Sequence, residues 1–204
     1  MNWKKILIIA GLAGMVANTA MAAQGDTSII PQLKLGAGEA DAGSIFGQSL
    51  GDEDINLYGV SADFLYGVND NFEAGVGLGI DKIEFDDSDE LDFTTFNLYG
   101  VGRYNFNTTN GYTPYVSGKL GYKWGDEDAS FTGGGVTGKV EIEAGPFVGI
   151  AAGVEYNNFN FEIGYEHTAG ELDASGTSGI ISISDSTDVD YDIFYMAVGY
   201  RFNQ

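Results

Sequence analysis

Hydrophobic and polar residues alternate with a period of two along most of the chain beyond residue 30. The clearest run is Phe72 to Ile80, where aromatic and aliphatic residues take every second position and Glu or Gly takes the positions between. This period is typical of β-strands, because successive side chains of a strand point to opposite faces. Eight such segments, each of about ten residues, follow one another at 32–38, 58–67, 72–80, 96–106, 116–124, 140–155, 159–166 and 194–202.

The connections between these segments alternate in length. Short connections fall at 69–71, 107–113 and 157–158, and long ones at 39–54, 84–92, 125–139 and 169–188. An even number of antiparallel strands, with short turns at one rim and long loops at the other, is typical of outer-membrane barrels. The pattern therefore predicts an all-β fold: a transmembrane, antiparallel, up-and-down β-barrel of eight strands with four long outer loops and three short periplasmic turns.

The alternation alone leaves open which face of the barrel meets water. A soluble, lipocalin-like barrel would bury its apolar face, whereas a membrane barrel turns that face to lipid and encloses a polar lumen. The second face here consists mainly of Gly, Ser and charged residues, which suit the narrow interior of an eight-stranded barrel. Aromatic residues gather near the ends of the apolar stripes, as in the girdles at membrane interfaces. We therefore predict that the apolar face meets lipid.

Composition narrows the function classes. The 204 residues include 31 Gly, 9 Lys+Arg, 30 Asp+Glu and no Cys, with a formal charge of −21. So negative a chain has little with which to neutralise phosphates, which argues against nucleic-acid binding. The absence of Cys excludes disulfides, thiolate metal sites and thiol catalysis.

The first 22 residues have the features of a secretory signal peptide. Lys4 and Lys5 give a basic start, an apolar run follows from Ile6 to Val16, and Ala20 to Ala22 forms a small-residue cleavage site. We predict a cleaved signal peptide at 1–22 and an outer-membrane β-barrel domain at 23–204. Removal of the two lysines leaves 7 basic against 30 acidic residues, a net charge of −23.

Charged residues recur on the face assigned to the lumen. We expect them to form a structural network of ion pairs, since an unpaired buried charge is costly. The predicted lumen charges are Lys34, Asp63, Glu73, Arg103, Lys119, Glu143, Glu155, Glu162 and Arg201. Four further charges on this face lie nearer the rims and are expected to be hydrated: Asp81, Lys123, Glu141 and Glu166. Pro146 interrupts the sixth segment, which must either bulge there or begin beyond the membrane.

The closing segment, Val198-Gly199-Tyr200-Arg201-Phe202, ends in an aromatic-x-aromatic pattern. Together with the signal peptide, the eight segments and the alternating connections, it resembles the small eight-stranded outer-membrane barrels of the OmpA transmembrane-domain and OmpX type. The resemblance implies location in the cell outer membrane and contact with outer-membrane lipid and lipopolysaccharide. It also implies that Tyr200 and Phe202 form the signal read by the barrel-assembly machinery during insertion.

The search for reactive residues yields little. The single His, His167, has no Ser at a His-x-Ser spacing, and the acidic runs at 52–54, 86–90 and 126–128 do not fit the EF-hand pattern. We predict no catalytic, cofactor or metal residues, no nucleic-acid partner, and a monomer. The predicted function is a non-enzymatic structural or surface-interaction (adhesion-type) role through acidic extracellular loops. The alternatives are a narrow channel for small or hydrophobic solutes and, third, a lipid A-modifying enzyme.

Overall fold

The computed structural model describes residues 24–45, 48–85, 93–133, 136–143, 145–178 and 181–203. The predicted signal peptide and the acidic run at 86–90 lie outside these residues. The described chain forms eleven strands: β1 (Thr27–Ile45), β2 (Gln48–Gly67), β3 (Phe72–Phe85), β4 (Phe93–Asn105), β5 (Tyr112–Trp124), β6 (Asp126–Gly133), β7 (Val136–Glu143), β8 (Pro146–Tyr156), β9 (Phe159–Ser178), β10 (Ile181–Tyr200) and β11 (Phe202–Asn203).

Eight of these strands form a closed antiparallel barrel. Its order is β1, β2, β3, β4, β5, β8, β9, β10, and β10 pairs with β1 to close it. The register, followed once around the wall from Glu39, returns to β1 at Ile29, ten residues away. This stagger tilts the strands and sets the width of the barrel. The predicted eight-stranded up-and-down barrel is confirmed. In the described ranges, no helix is long and apolar enough to cross a membrane.

Three tight connections join the strands at one end, which we call the short-turn rim. They lie at 68–71, 106–111 and 157–158, where the sequence predicts them. Asn157 and Asn158 have φ of 48° and 70°, and Asn110 and Gly111 have φ of 53° and 81°. Positive φ at both central residues is the requirement of a type I′ hairpin turn, whose twist matches that of the strands. The three predicted short turns are therefore present.

The strands at the opposite rim are longer than predicted. β1 and β2 run on through most of 39–54, and β9 and β10 run on through most of 169–188, where the sequence predicts loops. The third predicted loop contains a hairpin, β6–β7, whose second strand pairs with the outer part of β9. The period of two continues through these regions, but the polar and apolar residues exchange positions. The segments therefore have the alternation of a strand, although their polar composition suggests loops.

A β-bulge interrupts the sixth strand position of the barrel, which β7 and β8 occupy one after the other beside β9. Glu143 pairs with Glu171, whereas Phe147 pairs with Thr168, so three residues on one strand face two on its neighbour. The extra residue exchanges the two faces of the strand. It also accommodates Pro146, which begins β8. The backbone of Glu143 pairs with Glu171 of β9, beyond the bulge, and that of Glu141 pairs with Asp173. The side chains of Glu143 and Glu141, which the sequence predicts in the lumen, lie outside the described part of the structure.

The barrel has two sections of opposite polarity. In the part next to the short-turn rim, which we call the membrane section, large apolar side chains point outwards, as Leu35 (55% exposed) and Phe194 (70%) do. Beyond it, in the outer section, the outward positions become polar: Glu39, Asn56, Lys82, His167 and Asp192 are the first on their strands. The change falls at one level on five strands and marks the outer edge of the apolar belt.

Candidate functional site

The lumen of the membrane section is filled with polar side chains. Parity places them there: on each strand the residues between the lipid-facing ones point inwards. Six carboxylates and five cationic groups meet in this space, arranged in three layers that we call the rim, central and outer layers. Each layer is defined below by its residues.

The outer layer is a quartet of charges from alternate strands, Lys34 on β1, Asp81 on β3, Lys123 on β5 and Glu166 on β9. Lys34 Nζ lies 2.9 Å from Asp81 Oδ2 and 3.2 Å from Glu166 Oε2. Lys123 Nζ lies 3.1 Å from Glu166 Oε2 and 3.6 Å from Asp81 Oδ2. Because every second strand contributes one residue, the quartet spans the cross-section of the lumen, and its two positive and two negative charges balance.

The central layer is built around Lys119 and Glu162. Lys119 Nζ lies 2.9 Å from Glu162 Oε1, and the Tyr195 hydroxyl donates to the same oxygen at 2.8 Å. On the other side of the layer, Asp63 accepts hydrogen bonds from the Tyr99 hydroxyl at 2.7 Å and from Gln32 Nε2 at 3.3 Å. In this layer, tyrosine hydroxyls as well as the Lys119 ammonium group donate hydrogen bonds to the carboxylates.

The rim layer joins Glu73, Arg103, Glu155 and Arg201. Arg201 holds Glu73 with two hydrogen bonds, Nη1 to Oε1 at 2.6 Å and Nη2 to Oε2 at 2.9 Å, a bidentate arrangement that favours strong pairing. Its Nε donates to Glu155 Oε2 at 2.9 Å. Arg103 Nη2 reaches the same Glu155 oxygen at 2.8 Å, and its Nε lies 3.5 Å from Glu73 Oε2. Both arginines are about as buried as core residues, at 3% and 2% exposed.

Glycine residues make room for the lumen tyrosines. Gly77 is the cross-strand partner of Tyr99, and a Cβ at Gly77 would lie 2.2 Å from the Tyr99 ring. Gly164 stands in the same relation to Tyr195, where the added Cβ would lie 2.4 Å from the ring. The rings lie flat over the glycine backbone, a pairing that stabilises glycine in strands. Sequence reasoning missed these tyrosines; the signal was a Gly on the lumen face of the strand that pairs with each one.

An apolar cluster covers the lumen in the outer section. It contains Ala40, Ile55, Leu57, Ile83, Val189, Tyr191 and Ile193, each at most 3% exposed. These residues lie on the inward face of β1, β2, β3 and β10, and Ile83 is the next inward position after Asp81 on β3. The polar lumen therefore ends at an apolar core whose outside is acidic.

The structure brings most of the predicted lumen charges together. The six that it buries in the three layers are Lys34, Asp63, Glu73, Arg103, Lys119 and Glu162, joined by Arg201 from the closing strand. Glu155 is half-buried in the rim layer, with its side chain 15% exposed. Arg103 and Glu73 are close enough to interact, although Arg201 makes the stronger contact with Glu73.

Three charges expected from the sequence to be hydrated, Asp81, Lys123 and Glu166, are buried instead, so that expectation is wrong for them. Asp81 and Lys123 are 0% exposed and Glu166 is 3% exposed. They form the outer layer with Lys34, because the strands run well past the level where the sequence predicts loops. The apolar cluster above them keeps this level of the barrel closed.

His167 points outwards at the edge of the apolar belt. Its Nδ1 lies 2.8 Å from Asp192 Oδ1, and the Tyr165 hydroxyl donates to that same oxygen at 2.5 Å. The Tyr165 hydrogen bond, the largest effect, holds the pKa of Asp192 below its usual value against the opposing effect of burial, and the His167 contact lowers this pKa further. The position of the pair beside lipid headgroups suits an interfacial anchor.

The acidic segments lie on strands rather than in loops. Asp52 to Asp54 belong to β2, Asp126 to Asp128 belong to β6, and Asp188, Asp190 and Asp192 share the outer face of β10. Across the described residues, no group of three or more His, Asp or Glu side chains is placed to hold a metal ion. The outer section is therefore an acidic surface.

The aromatic residues of the closing segment are in contact with each other and with Phe159, in edge-to-face and tilted arrangements. The Tyr200 ring lies 5.1 Å from that of Phe159 and 4.8 Å from that of Phe202. They belong to the aromatic girdle near the short-turn rim, with Arg201 pointing inwards between them.

A closed antiparallel barrel with an apolar outer belt, aromatic girdles and a polar lumen defines a transmembrane barrel of the outer-membrane class. A family model described as "Outer membrane protein beta-barrel domain" matches residues 10–203. The chain belongs to this family, and the protein is located in the outer membrane.

Solved structures of outer-membrane barrels share the fold. Neisserial surface protein A has 17% sequence identity, with 85% of this chain and 97% of that chain covered and a TM-score of 0.50. AlkL, solved in lipid bilayers, has 17% identity, 94% and 96% coverage and a TM-score of 0.51. OprG from Pseudomonas aeruginosa has 11% identity, 90% and 99% coverage and a TM-score of 0.55. No curated protein matches the sequence.

Proposed function

We propose that this protein is a non-conducting outer-membrane barrel with a structural and surface-interaction role, carried by the acidic outer section. The observation that supports this most is the quartet of Lys34, Asp81, Lys123 and Glu166. Four fully buried charges from alternate strands cross the lumen, and the apolar cluster lies directly beyond them. A solute could pass only by separating the side chains of the quartet and those of the apolar cluster. Separating the quartet would leave buried charges without partners, at a cost of several kcal/mol.

The role then falls to the outside of the barrel. The outward positions of β9 and β10 beyond the belt include Glu171, Asp188 and Asp190, all exposed. Asp188 lies directly opposite Glu171. Like charges at facing positions disfavour the strand pair, so their presence suits a surface selected for contact with cationic groups in the surroundings. Outer-membrane lipid and lipopolysaccharide surround the belt, the assembly machinery would read Tyr200 and Phe202, and the barrel would act as a monomer.

Conductance in planar bilayers tests the closed lumen. We expect no regular current steps from the purified barrel. Reproducible steps that scale with the amount of inserted protein would favour the narrow channel instead. Uptake of a hydrophobic solute by proteoliposomes, above that of empty vesicles, would likewise count for the channel.

Binding of proteoliposomes to a polylysine surface tests the outer face. We expect Glu171→Gln/Asp188→Asn/Asp190→Asn to weaken binding, whereas Asp70→Asn at the short-turn rim leaves it unchanged. Equal binding by both variants would contradict the surface role. Mass spectrometry of lipid A from cells with and without the protein would reveal a lipid-modifying activity.

A further inference from the structure

We infer that Arg201 fixes the register in which the barrel closes. In chain order, β1 opens the barrel and β10 closes it, so their pairing is the one that completes the wall. Arg201 follows β10 directly and is 2% exposed. Its contacts reach strands on several sides of the lumen.

The contacts of Arg201 extend across the closing seam and across the lumen. The guanidinium binds Glu73 on β3 with two hydrogen bonds and Glu155 on β8 with one. Its Nη1 also donates to Ser28 Oγ on β1, the facing strand of the seam, at 2.9 Å. The Arg201 backbone is fixed as well, because its N–H donates to the carbonyl of Asn158 at 2.8 Å. One residue thus ties the last strand to the first strand and to two others.

The apolar pattern cannot select the closing register alone. A slip of one residue would turn Arg201 to the lipid, which the alternation forbids. A slip of two residues leaves every side chain on the face of the barrel wall that it occupies in the observed register. It therefore satisfies the pattern equally well and changes only the stagger of the barrel.

The charges remove this ambiguity. After a slip of two residues, Arg201 would no longer lie between Glu73 and Glu155, and Gly199 or Asn203 would take its level. Arg103 alone would then face both carboxylates. Because burying a carboxylate without its cation is strongly unfavourable, only the observed register satisfies the rim layer.

Disulfide trapping tests this inference, and the chain offers a clean background because it has no Cys. Leu35 and Met196 are partners across the seam and both face lipid, so Leu35→Cys/Met196→Cys reports the observed register. Leu35→Cys/Phe194→Cys and Leu35→Cys/Val198→Cys report slips of two residues in the two directions. Partners at the wrong register lie too far apart to form a disulfide.

We expect only the first pair to cross-link in the otherwise unchanged chain. With Arg201→Met, we expect at least one slipped pair to rise from background to a yield comparable to that of the first pair. Lys123→Met is the matched control, because it removes an equally buried lumen cation whose ion pairs, with Asp81 on β3 and Glu166 on β9, do not involve β1 or β10, and it should keep the observed register.

A charge-balanced variant covers the case in which Arg201→Met does not fold. Arg201→Gln/Glu73→Gln removes one cation and one carboxylate and leaves the Arg103–Glu155 pair in place, so it should fold and show the slipped cross-links. Cross-linking in the observed register alone, in either folded variant, overturns the inference. Equal slippage in Lys123→Met overturns it too, because the effect would then belong to any lumen cation.

Discussion

The membrane section and the outer section of the barrel are made of the same strands, yet their polarity is opposite. Along β10 and just after it, Tyr195 and Arg201 point into a polar lumen while Met196 and Phe194 face lipid. A few residues further out, Tyr191 and Val189 form an apolar core while Asp192 and Asp190 face outwards. The backbone continues without a break, so the change lies in the surroundings. Lipid outside demands an apolar surface and permits charges within, whereas water outside demands the reverse.

Stability in the two sections should accordingly depend on different forces. In the membrane section, lipid already surrounds the apolar side chains, so the packing and pairing of lumen charges matter most. In the outer section, the hydrophobic effect acts on the interior as in a soluble protein. The variants below separate the two, from the largest expected effect to the smallest.

Lys119→Met should cause the largest loss. It leaves Glu162 buried without its cation, which costs about 3–5 kcal/mol. Equilibrium unfolding by urea in lipid vesicles measures the loss. Lys119→Met/Glu162→Met removes both charges and should recover much of the stability. A loss below about 1 kcal/mol for the single variant, as for an exposed ion pair, would contradict the role of the network.

Ile55→Ala should cost about 2–5 kcal/mol, because Ile55 is 1% exposed in the apolar cluster of the outer section and its truncation leaves a cavity. Ile80→Ala is the matched control: Ile80 lies on the neighbouring strand but faces lipid, 47% exposed. Since lipid fills the space left there, the control should lose clearly less. Equal losses of unfolding free energy for the two variants would mean that the same forces stabilise both sections, which would contradict the comparison.

Met196→Arg should cost about 2–4 kcal/mol and Asp190→Arg about 0–1 kcal/mol, the values for Arg on the lipid face and near the interface of a barrel. The two residues lie on the same outer face of β10, six positions apart. Their difference therefore measures where the belt ends. Similar costs for both would place Asp190 within the membrane and remove the boundary.

Tyr165→Phe should have the smallest effect, below about 1 kcal/mol, because Asp192 is half exposed and water screens its contacts. The hydrogen bond from Tyr165 lowers the pKa of Asp192 in the folded barrel. Its contribution is therefore present above the unfolded pKa of about 4 and is lost as the pH falls through the lower folded value. Unfolding at a series of pH values should show a smaller loss on acidification in the variant. If the unfolding free energy of the variant fell with pH below about 4 as steeply as that of the unchanged protein, this coupling would be contradicted.

Much of the barrel could be predicted because the alternation is a local property. Parity alone places Lys34, Arg103 and Lys119 on the inner face, and the short turns follow from their Asn and Gly residues. The extent of the strands is not predicted, because from Asp188 to Asp192 the period of two continues but its polarity is reversed, so the segment resembles a loop. The boundary between the membrane section and the outer section lies where the period of two continues but the polar and apolar residues exchange faces.

The contents of the layers depend on register, which one sequence does not specify. Asp81, Lys123 and Glu166 meet only because the wall is staggered by ten residues, and their distance along the chain carries no sign of it. The bulge beside Pro146 shifts the alternation between β7 and β8 by one residue. Pro146 itself was the only local signal of that bulge.

The central claim is that polarity reverses between Phe194 and Asp192, and spin labels on single cysteines along β10 test it most directly. Outward labels at 198, 196 and 194 should respond to oxygen dissolved in lipid, and those at 192, 190 and 188 to a water-soluble nickel complex. An inward label at Tyr191 should respond to neither. Oxygen access at Asp190 equal to that at Met196, or nickel access at Tyr191, would contradict the account.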